Sequence, residues 1–252
     1  MLRCSLVDVH ALSSLESSLK QSQLHTIISA IEEIIETILA CLTRRRFTTV
    51  EALSRIALEH CTNVIYILED KTTSRSRSFL SAYFDNAYVR AKKWNQYAIE
   101  KDDKDVIATS SDRMNLVQTM RGWVVGLDDA EAWPDARRRL RLIGAEHFYH
   151  DVFAPASDSV HTLGEDAFNN WFFERTNEEC DPKLIRGVLH AEKGSYAIYM
   201  STNALSFYTE IVRSLVGSAG NEEAHQHATS LIETLNTLLS EFTTLSTATV
   251  DK

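Results

Sequence analysis

Thr49–Asp70, TVEALSRIALEHCTNVIYILED, is the stretch that decides the fold class. Apolar residues recur at helical spacing, at Val50, Leu53, Ala57, Val64, Ile67 and Leu68, which predicts a helix with a buried stripe. Arg55, Glu59 and His60 interrupt its apolar body. Burying such groups is costly unless they are paired. They either meet partners from elsewhere in the chain or line a site.

The segments on either side also read as helices. From Leu24 to Leu42 the apolar residues Leu24, Ile28, Ile31, Ile35, Ile38 and Leu42 alternate steps of four and three, a heptad seam that suits a bundle helix or a dimer helix. Glu32, Glu33 and Glu36 occupy the other face. Arg44–Arg46 ends it, and Thr48 or Thr49, with Glu51 close behind, is placed to cap the next helix. A third helix is expected over Ser74–Glu100, burying Phe79, Tyr83, Phe84, Ala87, Tyr88, Ala91 and Trp94. Lys101–Asp105 reads as a connector. A fourth helix from Ser111 or Asp112 to near Gly126 would bury Met114, Val117, Met120, Trp123 and Val124.

Pro134 is placed to open a short basic helix carrying Arg137–Arg139 and Arg141. Ala145–His161 predicts a helix interrupted at Pro155, and Glu165–Arg175 holds the aromatic cluster Trp171, Phe172 and Phe173. Leu184–Tyr196 reads equally as a hairpin around Lys193–Gly194 or as a loop running into a helix. A helix from about Ile198 to Gly217 and a last one over Asn221–Leu245 complete the chain. No repeat or long linker divides it. The expectation is one all-α domain over residues 1–252, a bundle of about seven to nine helices.

Composition agrees. Only 8 Gly and 3 Pro occur in 252 residues, too little turn punctuation for a sheet-rich fold. The net charge of −9 argues against a generic double-stranded DNA binder, and the two arginine runs read as solvated helix ends. Cys4, Cys41, Cys61 and Cys180 are scattered without a C-x-x-C pair. No signal peptide is legible near Met1, and Ile27–Leu42 is too short and too charged to span a bilayer. A reduced, cytoplasmic protein with no membrane partner is expected.

Three constellations are candidates for chemistry. Arg55 and Glu59, at i,i+4, share a helix face and can pair. Arg before Glu is the weaker order for a simple surface pair, which points to further partners for each. Arg55-x4-His60 also resembles the R-x4–6-H pattern of HEPN-type helical domains, although Ile56 stands where that family usually has a polar residue. The resemblance implies a metal-independent ribonuclease or toxin. In it Arg55 would hold a scissile RNA phosphate and His60 would transfer protons, in a homodimer that brings two such helices together.

The second constellation is Tyr149, Phe153, Ser157 and His161, each four residues after the last, a stripe that Pro155 would bend. No nucleophile elbow surrounds Ser157. Together with Ala52–Glu59 (A-L-S-R-x3-E) and Tyr66–Asp70, this segment resembles a bacterial family of all-helical domains of unknown function. That family carries a Y-x3-[YF]-x3-S-x-x-V-H segment about a hundred residues after its R-x3-E helix. The resemblance spans Leu24–Thr162 and implies a fold and a polar centre of Arg55, Glu59, Ser157 and His161, with no reaction attached. It makes Glu59, not His60, the signature position. The third constellation is metal: Glu146 with His150, or His147 with Asp151, are i,i+4 pairs, but no repeated E-x-x-H motif accompanies them. No metal and no cofactor is expected. The first reading is therefore a bundle whose polar centre joins Arg55 and Glu59 to His161, with Tyr149 or Ser157 binding beside them. The HEPN-like ribonuclease is one alternative, and a non-enzymatic module that self-associates through the heptad seam at Leu24–Leu42 or the one at Leu231–Leu245 is the other.

Overall fold

Helix α1 (Ser18–Thr43) turns its heptad seam inward: Leu24, Ile28, Ile31, Ile35 and Ile38 are all buried. A three-residue link, with Arg45 in the left-handed region at φ 54°, returns the chain into α2 (Phe47–Leu68). The computed structural model describes residues 18–124, 126–156, 164–176 and 181–248. Among them every regular element is helical, nine helices counting one π-helical turn and no strand, the all-α bundle that the periodicity predicts. No described helix is long and apolar enough to cross a membrane.

The expected threonine cap of α2 is not formed. The Arg46 carbonyl accepts from Val50 N at 3.0 Å and no side chain caps the end. Glu51, one turn further on, is buried and meets the ammonium of Lys193. At the other end of α2, buried Lys20 of α1 donates to the carbonyl of Asp70. Asp70 itself accepts from the hydroxyl and backbone N–H of Thr72 and from the backbone of Arg75. Burial alone would raise its carboxyl pKa, but these hydrogen bonds and the Lys20 charge hold it below the usual value.

Helix α3 (Ser74–Glu100) matches its expected bounds and forms a hairpin with α4 (Lys104–Gly122). Here α4 begins well before Ser111, because Asp103 in the presumed connector accepts from Val106 N at 3.1 Å and caps it. The hairpin has its own small apolar cluster of Phe84, Ala87, Val117 and Leu127. Tyr83, Trp94 and Trp123, all expected inside, are exposed, Trp123 by 72%. The α3–α4 pair offers too narrow an apolar seam to cover them.

Helix α5 (Ala136–Leu142) is capped by Asp135, whose carboxylate accepts from Arg138 N, so Pro134 lies outside the helix instead of opening it. The helix expected from Ala145 is a π-helical turn at Tyr149–Phe153, with Ala154 N bonded to Tyr149 O at 2.8 Å, and Pro155 follows it. Helix α6 (Gly164–Thr176) carries the exposed aromatic cluster.

The ambiguous stretch Leu184–Tyr196 is neither hairpin nor loop. It lies inside α7 (Pro182–Ser218), started by the Asp181 cap and a proline in the first turn. Gly194, the residue that suggested a turn, is helical; a Cβ there would stand 2.9 Å from the Phe47 ring. Close approach of α2 to α7, not backbone freedom, is what glycine permits at this position. Gly194→Ala therefore sets a gain in helix propensity against displacement of the ring edge, whereas Gly194→Leu overpacks the contact. The leucine variant is expected to lose about 1.5 kcal/mol in urea unfolding. Equal stability of the leucine variant and the native chain would contradict the packing.

Helix α8 (Glu222–Ala248) returns along α7 through a link closed by Gly220, at φ 71°, and not by Gly217. Gly217 lies against the His225 ring. The main core is the inner faces of α1, α2 and α7, where Ile31, Val50, Val64, Ile67, Met200 and Ile211 are fully enclosed.

Candidate polar centre

Arg55 and Glu59 lie on the flank of α2 that faces α5 and the π-turn. Their i,i+4 pairing is made, with Arg55 Nη1 to Glu59 Oε2 at 3.0 Å. Arg55 then reaches 98 residues along the chain, donating from Nε to the carbonyl of Phe153 at 3.0 Å. Its guanidinium carbon stands 3.2 Å from the centre of the Phe153 ring. The π-turn presents both groups, a carbonyl and an aromatic face, to the same guanidinium.

The other oxygen of Glu59 faces a second arginine. Arg139 Nη2 lies 3.6 Å from Glu59 Oε1. Arg139 is 4% exposed, donates from Nη1 to the Pro134 carbonyl, and stacks at 5.1 Å over Trp133. Trp133 is wedged edge-on against Tyr66 and Phe79. The basic run is thus not a solvated helix end throughout. Arg137, Arg138 and Arg141 are exposed, while Arg139, beside buried Leu140, turns inward. Sequence reading missed this residue. Its one signal is position, a turn after the Asp135 cap and next to an apolar side chain.

One carboxylate therefore serves two guanidiniums. Burial lowers the pKa of Arg55, opposed by its hydrogen bond to Glu59 and by the charge of Glu59. Burial also lowers that of Arg139; the charges of Glu59 and Asp135 oppose the shift, and the like charge of Arg55 adds to it. Glu59 keeps 43% of its side chain exposed, so the centre has an open side. Arg139 Nε is buried and has no hydrogen-bond partner. Against the π-turn lies a void of about 10 Å³, walled by Leu58, Leu140, Val152, Phe153 and other apolar groups, with room for no more than about one water.

His60 belongs to a different flank, about 140° around the helix from Arg55. Burial lowers its pKa, only partly offset by Glu59, so the neutral imidazole is favoured. Tyr149 stacks on Phe153 at 5.8 Å and lies near enough to Arg55 to interact with its charge. Ser157 and His161, the remaining predicted members, lie outside the described residues, as do Cys4 and Cys180. Burial pushes the Cys61 thiol well above its usual pKa, which disfavours the thiolate. Among the described residues no group of His, Cys, Asp and Glu has the arrangement of a metal site.

Residues 24–179 match the model of a family of unknown function (DUF5677). No curated protein and no solved structure matches the chain.

Proposed function

The chain belongs to the family of unknown function DUF5677, whose model covers more than half of it, and since no activity comes with that membership we propose that its working centre is Arg55–Glu59–Arg139 and that this centre recognises an anionic group, a phosphate or a carboxylate. One observation carries the reading: buried Arg139 and partly buried Arg55 share a single, half-exposed carboxylate, and Arg139 keeps a buried N–H without an acceptor. Buried positive charge of this kind is costly until a counter-charge is supplied. Arginine forks suit carboxylate and phosphate oxygens. Glu59 is the resident anion, and a ligand would add to it or displace it from the open side.

The ribonuclease alternative requires Arg55 and His60 to face one phosphodiester. His60 lies on another flank of α2, about 140° around the helix from Arg55, which favours a binding centre over that pair as catalyst. The self-association alternative draws nothing from the α1 seam, which is consumed inside the bundle.

Thermal unfolding in inorganic phosphate, against chloride at equal ionic strength, tests the proposal. The native chain is expected to gain stability saturably in phosphate. The Glu59→Gln variant, with the competing charge removed, is expected to gain more. Equal effects of phosphate and chloride on both proteins would overturn the reading.

A further inference from the structure

A second surface runs along α3. Tyr83, Arg90, Trp94, Tyr97 and Lys101 follow one another at steps of seven, four, three and four, so the helical repeat puts them on one face. At Phe79 that face is covered, because the Phe79 ring packs edge-on against Trp133. From Tyr83 onward all five side chains are exposed, Tyr97 by 59%. Lys93 flanks the row, and among the described residues neither it nor Arg90 has an acidic partner. Lys101 stands over the Tyr97 ring at 5.8 Å. Of the acids on α3, Asp85 lies on the far side and pairs with Arg121, and Glu100 lies past Lys93, outside the row. Asp102 and Asp103 follow the helix end, where Asp103 caps α4. The α3–α4 hairpin carries nine Lys and Arg against six Asp and Glu in a chain of net charge −9, so positive charge gathers where the rings are bare.

The geometry points to an interface for single-stranded nucleic acid. Exposed Tyr and Trp rings stack on unpaired bases, and the cations between them meet the phosphates. The row spans about 27 Å at 1.5 Å per residue, room for a site of about four nucleotides. A duplex keeps its base faces covered and would meet the cations alone. A membrane fits less well, because the row has no aliphatic residue to enter the acyl layer; Val89 and Ile99 lie on other flanks. A second copy docked isologously would set this positive row against itself. The inference does not rest on the anion reading: the two surfaces share no residue, and stacking needs bases, which inorganic phosphate lacks.

Fluorescence anisotropy tests it, with the full chain titrated into a labelled uridine oligonucleotide, its deoxythymidine counterpart and an RNA duplex of equal length. The single strands are expected to bind in the micromolar range, the tighter of the two identifying the sugar, and the duplex about tenfold more weakly. Strand affinity should fall with salt at a log–log slope of about −2, as for three phosphate contacts from Arg90, Lys93 and Lys101. Trp94→Ala and Tyr97→Ala, at exposed positions, should each weaken binding about tenfold with the unfolding temperature kept. Arg90→Gln with Lys93→Gln should flatten the slope to about −0.7. Native-like binding by both aromatic variants, a duplex bound as well as the strands, or no anisotropy change at about 100 μM protein would each overturn the assignment. A dimer in light scattering, or capture on phosphatidylserine vesicles, that depends on Trp94 and Tyr97 would give the row another occupant and overturn it too.

Discussion

Replacing Lys193 by methionine is expected to cost about 3 kcal/mol of stability. For a chain of this length that lowers the unfolding temperature by about 8 °C. Lys193 Nζ lies 2.7 Å from Glu51 Oε2, and Glu51 is 1% exposed on the face of α2 that packs against α7. A carboxylate at that depth tolerates its charge because the ammonium is beside it; the variant removes the partner and keeps the burial. The Glu51→Leu, Lys193→Met double variant separates this from simple loss of packing. It should recover most of the deficit, since an apolar pair of similar volume avoids the desolvation of both charges. Chemical denaturation of the single and double variants provides the comparison. A single variant within about 0.5 kcal/mol of the native chain would mean that Glu51 reaches water in solution.

How much of this architecture the sequence discloses depends on the kind of interaction. The α1 seam is legible because period and burial coincide: a residue every three or four steps must face one way, and Leu24 to Ile38 do. The Arg55–Glu59 pair is legible for a similar reason, since i,i+4 spacing is a local distance. Partners fixed by tertiary approach are not. Glu51 reads as part of a helix start, and only the docking of α7 against α2 makes it a buried acid with a lysine. Lys193–Gly194 reads as a turn because glycine is used for freedom of backbone as well as for lack of a side chain. The Phe47 ring decides which use applies. Arg139 stands in a run of like residues, and which arginine faces inward depends on where Asp135 starts a seven-residue helix. The expected partnership of Glu59 with His161 involves a residue outside the described segments, whereas the partner found for Glu59 is Arg139.

That shared carboxylate is the centre of the account, and removing it has the second large effect. Glu59→Ala leaves Arg55 and Arg139 facing each other without their counter-charge, for an expected loss of about 2 kcal/mol, moderated because Glu59 is partly open to water. Arg139→Met alone should cost less, because one carboxylate then serves one arginine and the methionine keeps the stack on Trp133 filled. Arg55 pairs with the carboxylate whether or not Arg139 is present, so the single variants by themselves do not isolate the 3.6 Å contact. The most direct measurement is therefore the double-mutant cycle of Glu59→Gln and Arg139→Met by urea unfolding. Arg139 and Glu59 are expected to couple by about 1 kcal/mol, with the glutamine substitution costing less once Arg139 is gone. Additivity within about 0.3 kcal/mol would show that the two residues do not share a centre, and would contradict the account.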